Sequence, residues 1–241
     1  MQKSPTAPQR SVLDANPIVR QILVDGIVRD AAGTELPAGS NISIEHAEAL
    51  RRAVLEQRPR TVLEVGMAYG TSSLVILTAL DEIGEGGRLV TVDPYQGTSW
   101  QSIGRLNVER AGFAASHTLL EAPDYLALPK LLEDGLRVEM AYVDGMHTFD
   151  YTLLDFFYVD KMLEAGGLAG FNDCGMSAVD RVLKYVVSHR KYAEVPVVPR
   201  RYQGRNAAVS AVRRVLNRPT NDRYFRKLEE WEPAWNFYAR F

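Results

Sequence analysis

From Thr61 onward, short apolar runs alternate with stretches of helical periodicity, and this alternation constrains the fold more than any other feature of the chain. Thr61 to Val65, Arg88 to Val92, Thr118 to Leu120, Val138 to Val143 and Leu168 to Phe171 read as strands. Between them lie predicted helices over Thr71 to Leu80, Trp100 to Ala111, Ala122 to Leu132 and Phe149 to Leu163. Apolar runs without in-out alternation belong to strands covered on both faces, so the expected architecture is α/β, with three layers built on a mostly parallel sheet. A helix over Ser177 to His189, a strand over Val195 to Val198 closed by Pro199, and a last strand over Ala207 to Val212 bring the sheet to seven strands.

Outside this repeat the pattern changes. Residues 1–43 form an N-terminal section: Met1 to Arg10, with Pro5 and Pro8, is an extended or disordered arm, and Val12 to Val28 is a lid or packing helix interrupted by Pro17. Ser43 is placed to cap a helix from Ile44 to about Gln57, with acidic residues in its first turn. The main domain runs over 44–218. Residues 219–241 form a tail carrying Tyr224, Phe225, Trp231, Trp235, Phe237, Tyr238 and Phe241, rings expected to pack on the domain or on a second copy in a homodimer.

The 28 Lys+Arg and 30 Asp+Glu residues leave a net charge of -2, which argues against a general nucleic-acid binder. That balance hides an asymmetry: Arg181 to Lys227 holds 13 basic and 2 acidic residues, so the remainder carries a net of -13. The basic stretch is either a solvated face or a contact for an anionic ligand, and Arg200, Arg201 and Arg205 around Tyr202 are its candidates. The single cysteine, Cys174, cannot form an intrachain disulfide. With no 18-residue apolar stretch and no signal-peptide core before Arg20, the expectation is a soluble cytoplasmic protein without a membrane partner.

Glu64-Val-Gly66-Met-Ala-Tyr-Gly70-Thr71-Ser72 joins the first strand to its helix. Glycines there permit a tight turn and close approach of a ligand to main-chain N–H groups at a helix start. Ala68 breaks the G-x-G-x-x-G pattern, which disfavours a pyrophosphate-bearing cofactor such as NAD and with it a nicotinamide-dependent oxidoreductase. Asp93 ends the second strand at the same sheet edge, where its carboxylate either accepts ribose hydroxyls or caps the loop before Pro94. Glu64 is a candidate for supporting the loop or meeting a cofactor amino group, and Asp124 for an adenine edge.

Asp144 ends the fourth strand and Asn172-Asp173 the fifth, which sets them side by side where open α/β sheets keep their ligands. Two carboxylates and an amide oxygen suit a hard cation such as Mg²⁺ or Ca²⁺, and the same residues at strand ends also serve simply to satisfy loop amides. His147, three residues beyond Asp144 and before Asp150, has the chemistry of a base at neutral pH. Trp100 is a candidate for the pocket wall.

An acidic residue before G-x-x-x-G, followed by an acid ending strand two, resembles the class I S-adenosylmethionine-dependent methyltransferases, over roughly Ile44 to Val212. The resemblance implies a Rossmann-like sandwich and a cofactor site at Glu64, Gly66, Gly70, Thr71, Ser72, Asp93 and Asp124. Val-Asp-Gly-Met-His147 and Gly-Gly-Leu-Ala-Gly-Phe-Asn172-Asp173 are further similar to the divalent-metal-dependent O-methyltransferases, both the catechol type and the enzymes of macrolide sugars and other natural products. That likeness implies a metal at Asp144, Asn172 and Asp173, His147 as base, and a hydroxylated small molecule, with a sugar or polyhydroxylated compound preferred over a catechol. Asn172 departs from the pattern, whose first member is usually acidic. A noncatalytic cofactor-binding or partner protein stays open as the alternative.

Overall fold

The computed structural model describes residues 11–197 and 222–241. Two short helical turns, α1 (Val12–Ala15) and α2 (Pro17–Arg20), open the chain where one interrupted helix was predicted. The break has a local cause: Asn16 is extended and its side chain accepts from the amides of Ile18 and Val19, so it caps a new helix that starts at Pro17. A π-helical turn over Gln21–Asp25 leads through Gly26 into the two-stranded ribbon of β1 (Ile27–Arg29) and β2 (Glu35–Pro37).

The main domain then alternates: α3 (Ile44–Gln57), β3 (Thr61–Val65), α4 (Thr71–Ile83), β4 (Arg88–Val92), α5 (Ile103–Arg110), β5 (His117–Leu120), α6 (Asp124–Glu133), β6 (Val138–Val143), α7 (Phe149–Met162), β7 (Leu163–Phe171), α8 (Ser177–His189), β8 (Tyr192–Val195) and β9 (Arg223–Lys227). The described residues form a seven-stranded sheet in the order β5-β4-β3-β6-β7-β9-β8. Its first five strands are parallel, and β9 runs antiparallel to both neighbours. This is the Rossmann-like α/β sandwich expected from the alternation.

Strand period sorts the core into two layers. Val62, Leu89, Met140, Tyr142 and Leu168 face α3, α4 and the N-terminal turns, whereas Leu63, Val65, Val90, Ala141, Val143 and Phe171 face α6, α7 and α8. Helix α4 is buried from Thr71 through Leu80 because α3 covers its outer side. The strand order reverses between β3 and β6, and ligands of open α/β sheets sit beyond that point.

The predicted last strand over 207–212 lies outside the described residues, as do Arg200, Arg201, Tyr202 and Arg205. The seventh described strand is β9, drawn from the aromatic stretch assigned above to a tail. Tyr224 and Phe225 are fully buried there, one against each face of the sheet. A buried polar cluster fastens this edge: Asp160 of α7 accepts from Arg190 Nε and the Tyr192 hydroxyl, both at 2.9 Å, while Lys227 Nζ donates to the carbonyls of Asp160 and Leu163. Farther on, Phe237, Tyr238 and Phe241 surround the His189 ring, and Trp235 stands in solvent.

Candidate active site

A cavity of about 590 Å³ opens at the carboxyl ends of β3, β4, β6 and β7. That size suits a nucleoside-sized ligand together with a small second molecule. Its walls include Gly66, Thr71, Ser72, Asp93, Asp124, Asp144, His147, Asn172 and Asp173, so nine of the eleven residues proposed from sequence meet in one place. Glu64 and Gly70 stand behind the wall.

Glu64 is wholly buried on the α4 side of β3. It accepts hydrogen bonds from the hydroxyls of Ser72 (2.6 Å), Ser73 (2.5 Å) and Thr91 (2.9 Å), and burial pushes its pKa up to about 7. It therefore straps the first turn of α4 to the sheet and does not line the cavity. Gly70 gives α4 its left-handed N-cap, with φ +80°.

Gly66, at φ +89°, is demanded by its surroundings as well as by its turn: a Cβ there would lie 2.1 Å from the backbone oxygen of Asp144. The loop after it is held by Asp93. Oδ2 of that carboxylate accepts from the amides of Met67 (3.0 Å) and Ala68 (2.9 Å) and from Gln96 Nε2 (3.1 Å), while Oδ1 accepts from the Tyr95 amide (2.8 Å). Each carboxylate oxygen offers about two acceptor positions, so Oδ1, with one donor, retains one while Oδ2 is crowded by three. Gln96 also donates to the Ala68 carbonyl, which stabilises Ala68 in its left-handed conformation at φ +48°. The Thr71 hydroxyl donates to Asn41 Oδ1, tying the loop before α3 to the opposite wall. Trp100 reaches the cavity edge-on to Tyr69, and Tyr125 pairs with Tyr151 at another side.

At the far end, His147 Nε2 lies 3.4 Å from Asp144 Oδ1 and 3.6 Å from Asp173 Oδ2. Asp144 holds the imidazole pKa above its ordinary value, and burial raises that of Asp144 itself. Asp173 sits at φ +51°, in the left-handed region that aspartate tolerates better than most residues. Asn172 turns its Nδ2 inward, donating to Asp222 Oδ1 at 2.9 Å and to the Tyr142 hydroxyl at 3.3 Å.

Asp222 and His46 belong to this end of the site, and the motif reading missed both. Asp222 Oδ1 lies 3.5 Å from His46 Nδ1, and His46 lines the cavity. Burial pushes Asp222 up to about 7 and holds His46 below its ordinary value. No spacing signals the pair, since the first turn of α3 and the approach to β9 are 176 positions apart; the one local cue is a titratable residue in a capped first turn.

Residues 63–174 match the family model of a methyltransferase domain. No curated protein matches the chain by sequence. Among solved structures, the O-methyltransferase from Bacillus cereus in complex with SAH is similar at a TM-score of 0.61 and 18% identity, with 79% of this chain and 85% of that one covered. TomG from Streptomyces achromogenes, an O-methyltransferase involved in tomaymycin synthesis and bound to SAM, gives 0.56 and 19%, covering 78% and 82%. The SAH-bound methyltransferase PaMTH1 of Podospora anserina gives 0.61 and 12%, covering 92% and 89%. The glycine loop, the acid ending β4 and the strand order agree with these matches: residues 63–174 are similar to a methyltransferase domain, and the chain has the fold of the S-adenosylmethionine- and S-adenosylhomocysteine-bound structures it resembles.

Proposed function

We propose that the protein transfers a methyl group from S-adenosylmethionine to a hydroxyl of a sugar or other polyhydroxylated small molecule, with His147 as the proton acceptor. The observation that carries this reading is the placement of His147 Nε2 between Asp144 and Asp173, in the same cavity as the glycine loop. The Bacillus cereus and Streptomyces achromogenes relatives, both described as O-methyltransferases, support oxygen as the acceptor atom.

The sulfonium of the bound cofactor supplies an already activated methyl group, so the protein's tasks are positioning and proton removal. In this reading Asp93 holds a ribose hydroxyl through the remaining acceptor position of Oδ1, Asp124 faces the adenine edge, and Gly66, Thr71 and Ser72 border the methionine part. His147 takes the hydroxyl proton as the oxygen attacks. Asp144 favours the protonated imidazole that results and so strengthens the base.

The expected Mg²⁺ fits the donor set poorly. Among the described residues no group of three His, Cys, Asp or Glu side chains is placed to hold a metal ion. The space between Asp144 and Asp173 is bordered by an imidazole, and Asn172 commits its Nδ2 to Asp222 and Tyr142, which leaves Oδ1 as its one oxygen donor. The reaction is therefore derived through His147, with no step assigned to an ion.

The test is release of S-adenosylhomocysteine across a panel of methyl glycosides, phenols and catechols, beside calorimetric binding of S-adenosylmethionine. Cofactor binding with turnover of a hydroxylated acceptor supports the proposal; cofactor binding without turnover of any of them favours a noncatalytic protein.

A further inference from the structure

Two imidazoles, not one, face the acceptor end of the cavity. His46 is planted in the first turn of α3, where its backbone amide donates to the Ser43 hydroxyl at 3.2 Å. Its Nδ1 is directed at Asp222 Oδ1, 3.5 Å away. Asp222 is buried and held from three further sides: Asn172 Nδ2 at 2.9 Å on Oδ1, and the hydroxyls of Tyr142 (3.0 Å) and Tyr224 (3.5 Å) on Oδ2. The cradle thus draws on α3, β6, the end of β7 and β9. His46 and Asn172 are the members of it that also line the cavity.

A carboxylate at one ring nitrogen fixes the tautomer and the ring plane, and it leaves the other nitrogen for a ligand. With Nδ1–H toward Asp222, Nε2 of a neutral His46 is an acceptor. Burial favours that neutral form. The same Asp173 carboxylate that borders His147 also acts electrostatically on His46, which sets the two rings around one acceptor-binding space.

We propose that His46, oriented by Asp222, accepts a hydrogen bond from a second hydroxyl of the methyl acceptor and so selects acceptors that carry a free O–H beside the one methylated. The inference rests on the O-methyl-transfer reading above. In it His46 touches substrate, Asp222 is a positioning residue, and neither takes the reacting proton.

A pair that only latches α3 to β9 would contribute to stability and leave acceptor choice untouched, so selectivity is the discriminating readout. Polyhydroxylated acceptors from the glycoside and catechol panel are compared with matched analogues in which the neighbouring hydroxyl is replaced by hydrogen or by methoxy. The wild type is expected to lose at least about tenfold in kcat/KM on both replacements, the cost of an unmade hydrogen bond in a buried site. His46→Ala should lower kcat/KM for the parent acceptor, mainly through KM, and bring parent and analogues level, with S-adenosylmethionine affinity unchanged. His46→Gln, whose amide oxygen can reach toward the Nε2 position, should restore part of the preference, and His46→Asn should not. Asp222→Asn gives a second route: it keeps the shape of the cradle, and it should weaken the preference without abolishing turnover.

Equal turnover of parent and analogues by the wild type overturns the inference while leaving methyl transfer intact. So does a preference retained in His46→Ala. Absence of turnover with every acceptor, despite cofactor binding, overturns the underlying reading and the inference with it.

Discussion

Gly66 packs so closely on Asp144 that the loops after β3 and β6 share one contact: a Cβ on Gly66 would come within 2.1 Å of the Asp144 backbone oxygen. The obstacle is main chain and cannot rotate aside. A change at this glycine must therefore move the end of β3, the end of β6, or both. Gly66→Ala is expected to lower the melting temperature and to weaken S-adenosylmethionine binding by at least about tenfold, because the φ of +89° adds strain of about 1 kcal/mol to the clash. Gly26→Ala is the control. It shares a positive φ of +69° but has open space around the built Cβ, so it should show the backbone cost alone. Equal effects of the two substitutions in calorimetry and thermal melts would refute the close-packing account.

Of the two imidazoles at this end of the cavity, His147 is the one that stands beside both Asp144 and Asp173, which is why the base role is proposed for it. General base catalysis contributes about 10²- to 10⁴-fold, so His147→Ala should lose kcat on that scale and keep its affinity for S-adenosylmethionine. Because Asp144 raises the imidazole pKa, the wild-type rate should climb with pH through a value above 6.5. That limb should disappear in His147→Ala and move to lower pH in Asp144→Asn. A pH profile of identical shape in wild type and His147→Ala would remove the assignment.

The arrangement around Asp144 and Asp173 also predicts the response to metal removal. With an imidazole standing at the two carboxylates, dialysis against EDTA should change turnover by less than about twofold. Added Mg²⁺ should not raise it. Loss of activity on chelation, restored by Mg²⁺ alone, would show that a cation displaces His147 from its position between the acids.

The parts of the site that lie on consecutive strand ends were legible in the sequence, because an apolar run followed by a polar residue gives both the place and the direction of the side chain. Asp93, Asp144 and Asn172 follow this rule and line one cavity, and Gly66, His147 and Asp173 come with them on the loops that those strand ends open. Glu64 did not: it lies one residue before Val65, the end of β3, so the period of two turns it to the opposite face, covered by α4, and into a nest of hydroxyls. His46 and Asp222 escaped for a different reason. Their meeting depends on α3 packing over the sheet and on β9 inserting between β7 and β8, neither of which any local spacing encodes. Tyr224 and Phe225 pack on the domain as expected of the tail's rings, but as part of a strand: Arg-Tyr-Phe-Arg-Lys is a short cationic segment with no apolar run to mark it, and its pairing with β7 and β8 is long-range.

Asp155 on α7 has both carboxylate oxygens buried without a hydrogen-bond donor, and its neighbour across the gap is Asp124, another acid. Two facing carboxyls with no donor between them need a proton, and burial together with Asp124 pushes the Asp155 pKa up to about 9 from an ordinary 3.8. The sign follows from linkage: the folded protein binds a proton that the unfolded chain has released, so stability is lost progressively as pH rises from about 4 to about 9. Glu64 and Asp222 add losses of the same sign, theirs complete near pH 7. Between pH 7 and 9 the remaining slope from these three groups therefore belongs to Asp155. Asp155→Asn keeps a donor toward Asp124 and has nothing to titrate. It should melt on the order of 5 °C above the wild type at pH 8.5, with a smaller difference at pH 5.5. Parallel melting curves of the two proteins across that range would show that Asp155 is ionised in the folded state.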